Sequence, residues 1–365
     1  MAAWTLEALK NEYDLTVLAF QRTDFAAIDD FYGTSLRGSD IACVYPNGLI
    51  QAALRLDFSE GSIQPAAYLM RMCRRLRHPY DLVMAAGMEE MDLGGPGLLY
   101  VHYPHLARFW DKYRDSGAGL AGLLRRQTRP WMLLAGYSVE RLKQNVILTN
   151  SDWTAGRIRR AYGLPARTIY PPVTASVRQL PWASREDGFV CVGRLHARKR
   201  MDWVIAMLAQ VRARHRAIRL HLVGTRDEGR AAGEYYRALR KAVAANGAWV
   251  QLHEDFSRQE LLDLMGRSRY AIHALIDEHF GIAPAEALLA GCIPFVHDSG
   301  GQVEIVGGDA RLCYRDDVAA EKIGTVLDSV ELQLSLLESL EPRRGLFTVN
   351  RFMEEIRDAV SSAIR

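Results

Sequence analysis

Nothing in this chain spells out a membrane anchor, a zinc site or a disulfide framework. It has no run of the roughly 18 apolar residues that a membrane-crossing helix needs. Its first residues, MAAWTLEALKNEYD, lack the basic-then-apolar layout of a secretory signal. The five cysteines, Cys43, Cys73, Cys191, Cys292 and Cys313, are odd in number, far apart and never in a C-x-x-C pair, so they read as thiols of a reducing cytoplasm. An excess of one charge is missing too. The 46 Lys and Arg against 43 Asp and Glu leave +3, no footprint for wholesale nucleic-acid binding. No strand-like run is followed by G-x-G-x-x-G, which disfavours a dehydrogenase. Internal repeats and low-complexity tracts are absent. The expectation is a cytoplasmic protein, at most peripheral to a membrane.

What is present is two series of alternating strands and helices. At 365 residues the chain fits two domains, with apolar content enough for two cores. The first series opens on a helix over 2–11, followed by a buried parallel strand from Leu15 to Phe20 and strands from Ile41 to Tyr45, Asp81 to Ala85 and Leu98 to His102. A strand from Val146 to Thr149 precedes a helix capped by Ser151 that stops at Gly163, and a last strand runs from Arg167 to Tyr170. A helix from Pro65 to Arg77 carries Arg71, Arg74, Arg75 and Arg77. It reads first as a solvated basic face and second as a weak contact with an anionic membrane surface. A helical region over 119–143, interrupted at Pro130, adds Arg125, Arg126 and Arg129. Pro171-Pro172 can neither continue a helix nor donate to a central ladder, which makes it a natural hinge.

The second series starts at Gly188. Strands are expected from Phe189 to Val192, Arg219 to Val223, Trp249 to Leu252, Tyr270 to Ala274 and Ile293 to Val296. Helices over 200–214, 233–245, 258–267 and 284–290 alternate with them, the third opened by a Ser257 and Glu260 capping box. Such alternation argues a parallel sheet covered on both faces, and two amphipathic helices, over 317–339 and 347–364, close the chain. The domains are therefore placed at 1–171 and 172–345, with a final helix within 346–365 packing back toward the first.

Open parallel sheets hold ligands beyond the C-terminal ends of their strands. Three turns of the second series suit that task. After Val192 come Gly193 and Arg194, with Lys199 five residues beyond; glycine lets backbone approach a ligand, and the two cations can neutralise a diphosphate. After Ala274 come Glu278, the turn Phe280-Gly281-Ile282-Ala283, then Pro284 and Glu286. Pro284 suits a first helical turn, which places Glu286 in that turn beside free backbone donors. The N–H groups from Phe280 to Ala283 can receive an anion, while a carboxylate on each side can accept hydrogen bonds from sugar hydroxyls. The third turn, from His297 to Gln302 through Gly300-Gly301, reads as another phosphate-facing nest.

Together these residues resemble the retaining GT-B glycosyltransferases of glycosyltransferase family 4. The matching positions are Gly193, Arg194 and Lys199, the pair Glu278 and Glu286, Ala290-Gly291-Cys292-Ile293-Pro294, and Gly300-Gly301-Gln302-Val303-Glu304-Ile305-Val306. In the first half, Tyr100 to Pro104 and Leu148 to Thr154 are similar to segments of eukaryotic α-1,2-mannosyltransferases that extend dolichol-linked oligosaccharide. The resemblance implies an α/β GT-B fold, two Rossmann-like doubly wound domains facing across a cleft. It implies transfer of a hexose from GDP-mannose or a UDP-sugar to an unidentified acceptor (glycan, lipid-linked or small molecule), with retention and without metal or other cofactor. By position, Arg194 and Lys199 would hold the diphosphate and Glu286 the ribose hydroxyls, while Glu278 would contact the donor sugar. The backbone of Phe280, Gly281, Ile282 and Ala283 would receive sugar and phosphate, Phe256 would pack on the base, and His102 would face the donor sugar.

Two departures stand out. The strand and Gly-rich loop that precede the first helix in relatives are not found ahead of Ala2, so the first sheet is expected to lack a central strand and part of the donor and acceptor wall. Glu254 stands where many relatives have glycine. The alternatives are a nucleotide-sugar-binding protein without transfer and, less favoured by the paired glutamates, a sugar-nucleotide 2-epimerase.

Overall fold

The computed structural model describes residues 1–54, 64–86, 90–104, 131, 133–175, 177, 180–215, 217–227 and 229–364. It divides into two compact units, one made of Met1–Pro172 with Val349–Arg365 and one of Val173–Thr348. The expected basic region with Arg125, Arg126, Arg129 and Pro130 lies outside the described residues.

In the first unit, α1 (Ala2–Leu9) leads into β1 (Leu15–Leu18), which pairs in parallel with β2 (Ile41–Val44). Between them lies α2 (Phe25–Tyr32), which the sequence reading did not predict although its signals are plain. Asp24 accepts from Ala27 N at 3.1 Å as N-cap, and Gly33 ends the helix at φ 73°. The helices α3 (Gly48–Leu54) and α4 (Gln64–Leu76) follow. A second parallel sheet has the order β3 (Met84–Ala85), β4 (Leu98–Val101), β5 (Val146–Thr149) and β6 (Arg167–Thr168). Between β4 and β5 sits the short α5 (Val139–Leu142), and between β5 and β6 lies α6 (Asp152–Tyr162). Ser151 caps α6 through Thr154 N, and Gly163 closes it at φ 71°. The expected buried strand to Phe20 is shorter and half-buried along its whole length. Among the described residues it pairs with β2 and with no strand of the other sheet.

The core of this unit forms where Leu98, Tyr100 and Leu148 meet Ala8 and Leu9 of α1 and Phe352, Ile356 and Val360 of the last helix. Burying Tyr100 requires a partner for its hydroxyl, and it donates to Ile169 O at 2.5 Å. On α4, Arg71 donates to Leu134 O, Arg74 to Gly136 O, and Arg77 to Leu93 O and Pro96 O. Three of the four arginines therefore donate to backbone carbonyls of their own unit, and Arg75 is exposed.

The second unit is one six-stranded parallel sheet of order β12-β11-β10-β7-β8-β9. Its strands are β7 (Glu186–Val192), β8 (Arg219–Gly224), β9 (Val250–Glu254), β10 (Ser268–His273), β11 (Ile293–His297) and β12 (Cys313–Tyr314). The helices between them are α7 (Met201–His215), α8 (Arg230–Ala245), α9 (Arg258–Arg267), α10 (Ile282–Leu289) and α11 (Gln302–Ile305). Phe189, Tyr270 and Phe295, on the three central strands, are almost fully buried, with the Phe189 and Tyr270 rings stacked at 4.9 Å. The capping box that opens α9 is complete, Ser257 accepting from Glu260 N and Glu260 accepting from Ser257 N at 2.8 Å. The helix expected over 317–339 is instead α12 (Ala319–Leu327) and α13 (Val330–Arg344). Ser329 breaks them apart, because its hydroxyl accepts from Leu332 N and starts a new helix. The final helix, α14 (Val349–Ile364), belongs to the first unit. No described helix is long and apolar enough to cross a membrane.

Candidate functional site

The parallel register puts the C-terminal ends of β7 and β10 side by side, and the loops that leave them meet. Lys199, from the loop after β7, places Nζ 2.9 Å from Glu278 Oε2, from the loop after β10. Gly193 makes this reach available: a Cβ there would lie 3.0 Å from Lys199 Cδ, while its N–H is already donated to Val223 O. Its role is room for the lysine stem rather than contact between its N–H and a ligand. His273, ending β10, shares the same carboxylate oxygen at 3.0 Å, and the other oxygen accepts from His279 N at 3.1 Å.

Burial opposes ionisation of Glu278, yet the hydrogen bonds from His273 and Lys199 and the charge of Lys199 outweigh it and hold the carboxyl well below its usual range. For His273 burial wins and the imidazole is neutral, so its Nε2–H donates to Glu278 while Lys199 is the counter-ion. The sequence did not single out His273; its only signal is a histidine closing a buried strand.

Gly281, at φ 103°, is the N-cap of α10, and the first helical bond runs from Ala285 N to Gly281 O at 3.2 Å. Ile282 and Ala283 therefore open the helix with N–H groups that have no acceptor within it, and Pro284 has no N–H to satisfy. Positive dipole and orphan donors make this end suited to an anion. The Phe280 ring is buried against Phe347 at 5.7 Å, so only its backbone can face a ligand.

Two expectations change. Glu286 is the fifth residue of α10, beyond the first turn, and its partner is a side chain instead of free backbone donors. Arg258 Nη1 lies 2.5 Å from Glu286 Oε1. The turn from His297 to Gln302 is no open nest either. The N–H of Asp298 goes to Tyr314 O, that of Ser299 to His297 O, and that of Gly301 to Glu278 O at 2.7 Å. A Cβ at Gly300 would come within 2.2 Å of Glu278 O, so this glycine lets the turn brace the Glu278 loop.

The remaining expected residues stand apart from the Lys199 and Glu278 pair. Arg194 is 69% exposed and bonds to Asp227 at 3.1 Å. Phe256 is half-buried just after β9, its ring 4.5 Å from that of His253. Glu254, the departure noted above, accepts from Tyr236 at 2.6 Å and Arg240 at 3.1 Å. His102 belongs to the first unit, at the end of β4. Burial and the nearby N-terminal ammonium lower its pKa to about 4 against a bond to the Ala86 backbone, so it is neutral. Among the described residues no group of three or more His, Cys, Asp or Glu side chains is placed to hold a metal ion.

Residues 173–338 match the family model described as "Glycosyl transferases group 1". The chain is 26% identical over 246 residues to the GDP-Man:Man(3)GlcNAc(2)-PP-Dol alpha-1,2-mannosyltransferase of Neurospora crassa, covering 56% of this chain and 44% of that protein. With the protein of the same name from Dictyostelium discoideum it shares 25% over 245 residues, 60% of this chain and 48% of that one. It thus spans about half the length of these curated relatives. Among solved structures, Anabaena HepE in complex with UDP superposes with a TM-score of 0.69 at 15% identity, over 99% of this chain and 96% of that one. Residues 173–338 are accordingly a glycosyl transferases group 1 domain, in a chain with the α/β fold of the GT-B glycosyltransferases.

Proposed function

We propose that the protein is a retaining, metal-independent glycosyltransferase that moves a hexose, mannose from GDP-mannose by preference over a UDP-sugar, to an acceptor hydroxyl. The observation that carries this reading is the meeting of Lys199 with Glu278 beside the open N-terminus of α10, with a second buried carboxylate, Glu286, on the same helix. A departing nucleoside diphosphate gathers negative charge on its bridging oxygen, and cations and N–H groups already in place there lower the barrier. Lys199 is held by Glu278, and Ile282 and Ala283 offer orphan donors. Arg194 joins them by turning from its exposed pairing with Asp227. Glu278 accepts from the donor sugar, Glu286 from the ribose, and Phe256 packs on the base. No protein nucleophile is required if the acceptor attacks on the face from which the phosphate leaves.

The named activity of the Neurospora and Dictyostelium relatives supports mannose and a lipid-linked acceptor. On this reading Val173–Thr348 binds the donor, and the first unit supplies the acceptor side with His102 as a sugar contact. The protein would work in the cytoplasm or against a membrane surface.

The test is a thermal-shift and turnover panel of GDP-mannose, GDP, UDP-glucose, UDP and ADP. Stabilisation by GDP and GDP-mannose, with slow release of GDP, is expected. Sugar isomerisation would mark an epimerase instead, and no binding of any nucleotide would overturn the reading.

A further inference from the structure

One side chain ties the buried carboxylate of α10 to the start of the second unit. Arg258 donates from Nη1 to Glu286 Oε1 and from Nη2 to Thr174 O. Its position works against its charge. Arg258 is the first residue of α9, immediately after the Ser257 N-cap, where the helix dipole disfavours a cation. What offsets this is the Glu286 side chain, 8% exposed, against a guanidinium 40% exposed. Of the two Glu286 oxygens Oε1 is engaged, and Oε2 accepts no hydrogen bond from the described residues.

We infer that Arg258 is a positioning residue of the nucleoside site, holding the Glu286 carboxylate turned so that its second oxygen accepts from the vicinal hydroxyls of a ribose. The inference rests on the nucleotide reading of Glu286 given above. A ribose diol offers two donors, which an ionised carboxylate can accept, whereas a protonated one spends an oxygen carrying its own hydrogen. Burial raises the Glu286 carboxyl above its usual range even with Arg258 beside it, and the charge and hydrogen bond of Arg258 keep it from rising further. The other elements packed on α10 direct their ionisable groups elsewhere. His273, ending β10, bonds to Glu278, which also holds Lys199; His297 of β11 bonds to Ser299. Arg343 of α13 donates to the carbonyls of Glu304 and Ile305, residues of α11. Arg258 is the charge that acts on this carboxyl.

Calorimetric titration of the full chain with GDP and UDP, and with their 2′,3′-dideoxy forms, at a series of pH values from weakly acid to weakly alkaline tests the assignment. The wild type should prefer its ribonucleotide to the dideoxy form and keep that preference toward the acid end. In R258M affinity should fall about tenfold or more at the acid end, as a lost charged hydrogen bond implies, and recover as pH rises and Glu286 ionises. Its ribose preference should vanish and return in parallel. R258K, which keeps the charge, should restore the wild-type profile; R258Q, which keeps a donor without charge, should behave as R258M and stands in if that variant does not fold. A wild-type profile in both R258M and R258Q overturns the inference while the ribose reading stands. Equal binding of ribo and dideoxy forms by the wild type overturns both.

Discussion

The two units each contribute six described strands, yet one arranges them as a single sheet and the other as a pair and a separate four. In the second unit β7, β10 and β11 have neighbours on both edges, and their Phe189, Tyr270 and Phe295 are packed almost without exposure. In the first, β1 has one partner strand and is half-buried throughout. A parallel strand gains most when both edges are paired and both faces covered. The unit that meets those conditions is also the one whose loops and helices brace one another around the candidate site: Lys199 on Glu278, Gly301 on Glu278 and Arg258 on Glu286.

The sharpest way to probe this contrast is in the cores. Phe295→Ala should cost about 3 to 5 kcal/mol, because a fully packed ring leaves a cavity that a six-stranded sheet cannot collapse. Chemical denaturation measures it, and a cost near 1 kcal/mol would show the second sheet to be no better packed than the first. Next comes the site. Lys199→Ala should lower donor turnover by roughly 10²- to 10³-fold, the scale for losing a preorganised group at a developing anion. Circular dichroism should be unchanged, since Glu278 keeps His273 as a partner. Turnover like the wild type would remove Lys199 from the chemistry.

The pH dependence of the first unit follows from His102. Its folded pKa of about 4 lies below the ordinary 6.5, so between these values the unfolded chain binds the extra proton. Stability is full above about pH 6.5, falls by roughly 3 kcal/mol as pH drops toward about 4, and then levels. His102→Gln should flatten that slope in denaturation curves taken across the window; an unchanged slope would place the titration elsewhere. The smallest effect is expected at β1, where Val17→Ala should cost about 1 kcal/mol or less, because a half-buried side chain has little to lose. A loss as large as that at Phe295 would erase the contrast between the two sheets.

The alternation of the second unit was readable because its strands, covered on both faces, are continuous apolar runs with helices of ordinary length between them. The Ser257 and Glu260 box and the Ser151 and Gly163 ends of α6 were readable for a local reason, as each closes within a few residues. The first unit was harder. The strand expected through Phe20 stops at Leu18, where pairing with β2 ends, and α2 was missed although Asp24 and Gly33 bracket it. Within the site, Glu278, Glu286 and Lys199 were singled out by type and spacing. Arg258 and His273 were not, because their meaning depends on neighbours 28 and 5 residues away that only packing supplies. The turn through Gly300 was misjudged for the same reason. Its glycines suggested an open nest, while the structure spends the N–H groups of Gly301, Ser299 and Asp298 on Glu278, His297 and Tyr314.

By itself the sequence determined five of the six strands of the second unit and the helices between them, and which acids and lysine stand in the turns, since these are local properties of periodicity and backbone chemistry. The edge strand Cys313–Tyr314 and the break at Ser329 were not read from it. The tertiary structure decided what those groups do to one another. Adjacency of β7 and β10 joins Lys199 to Glu278 across 79 residues. The packing of α9 against α10 places Arg258 on Glu286. Charge state and orientation depend on burial and on partners brought together by the sheet, and neither is written into any short stretch of chain.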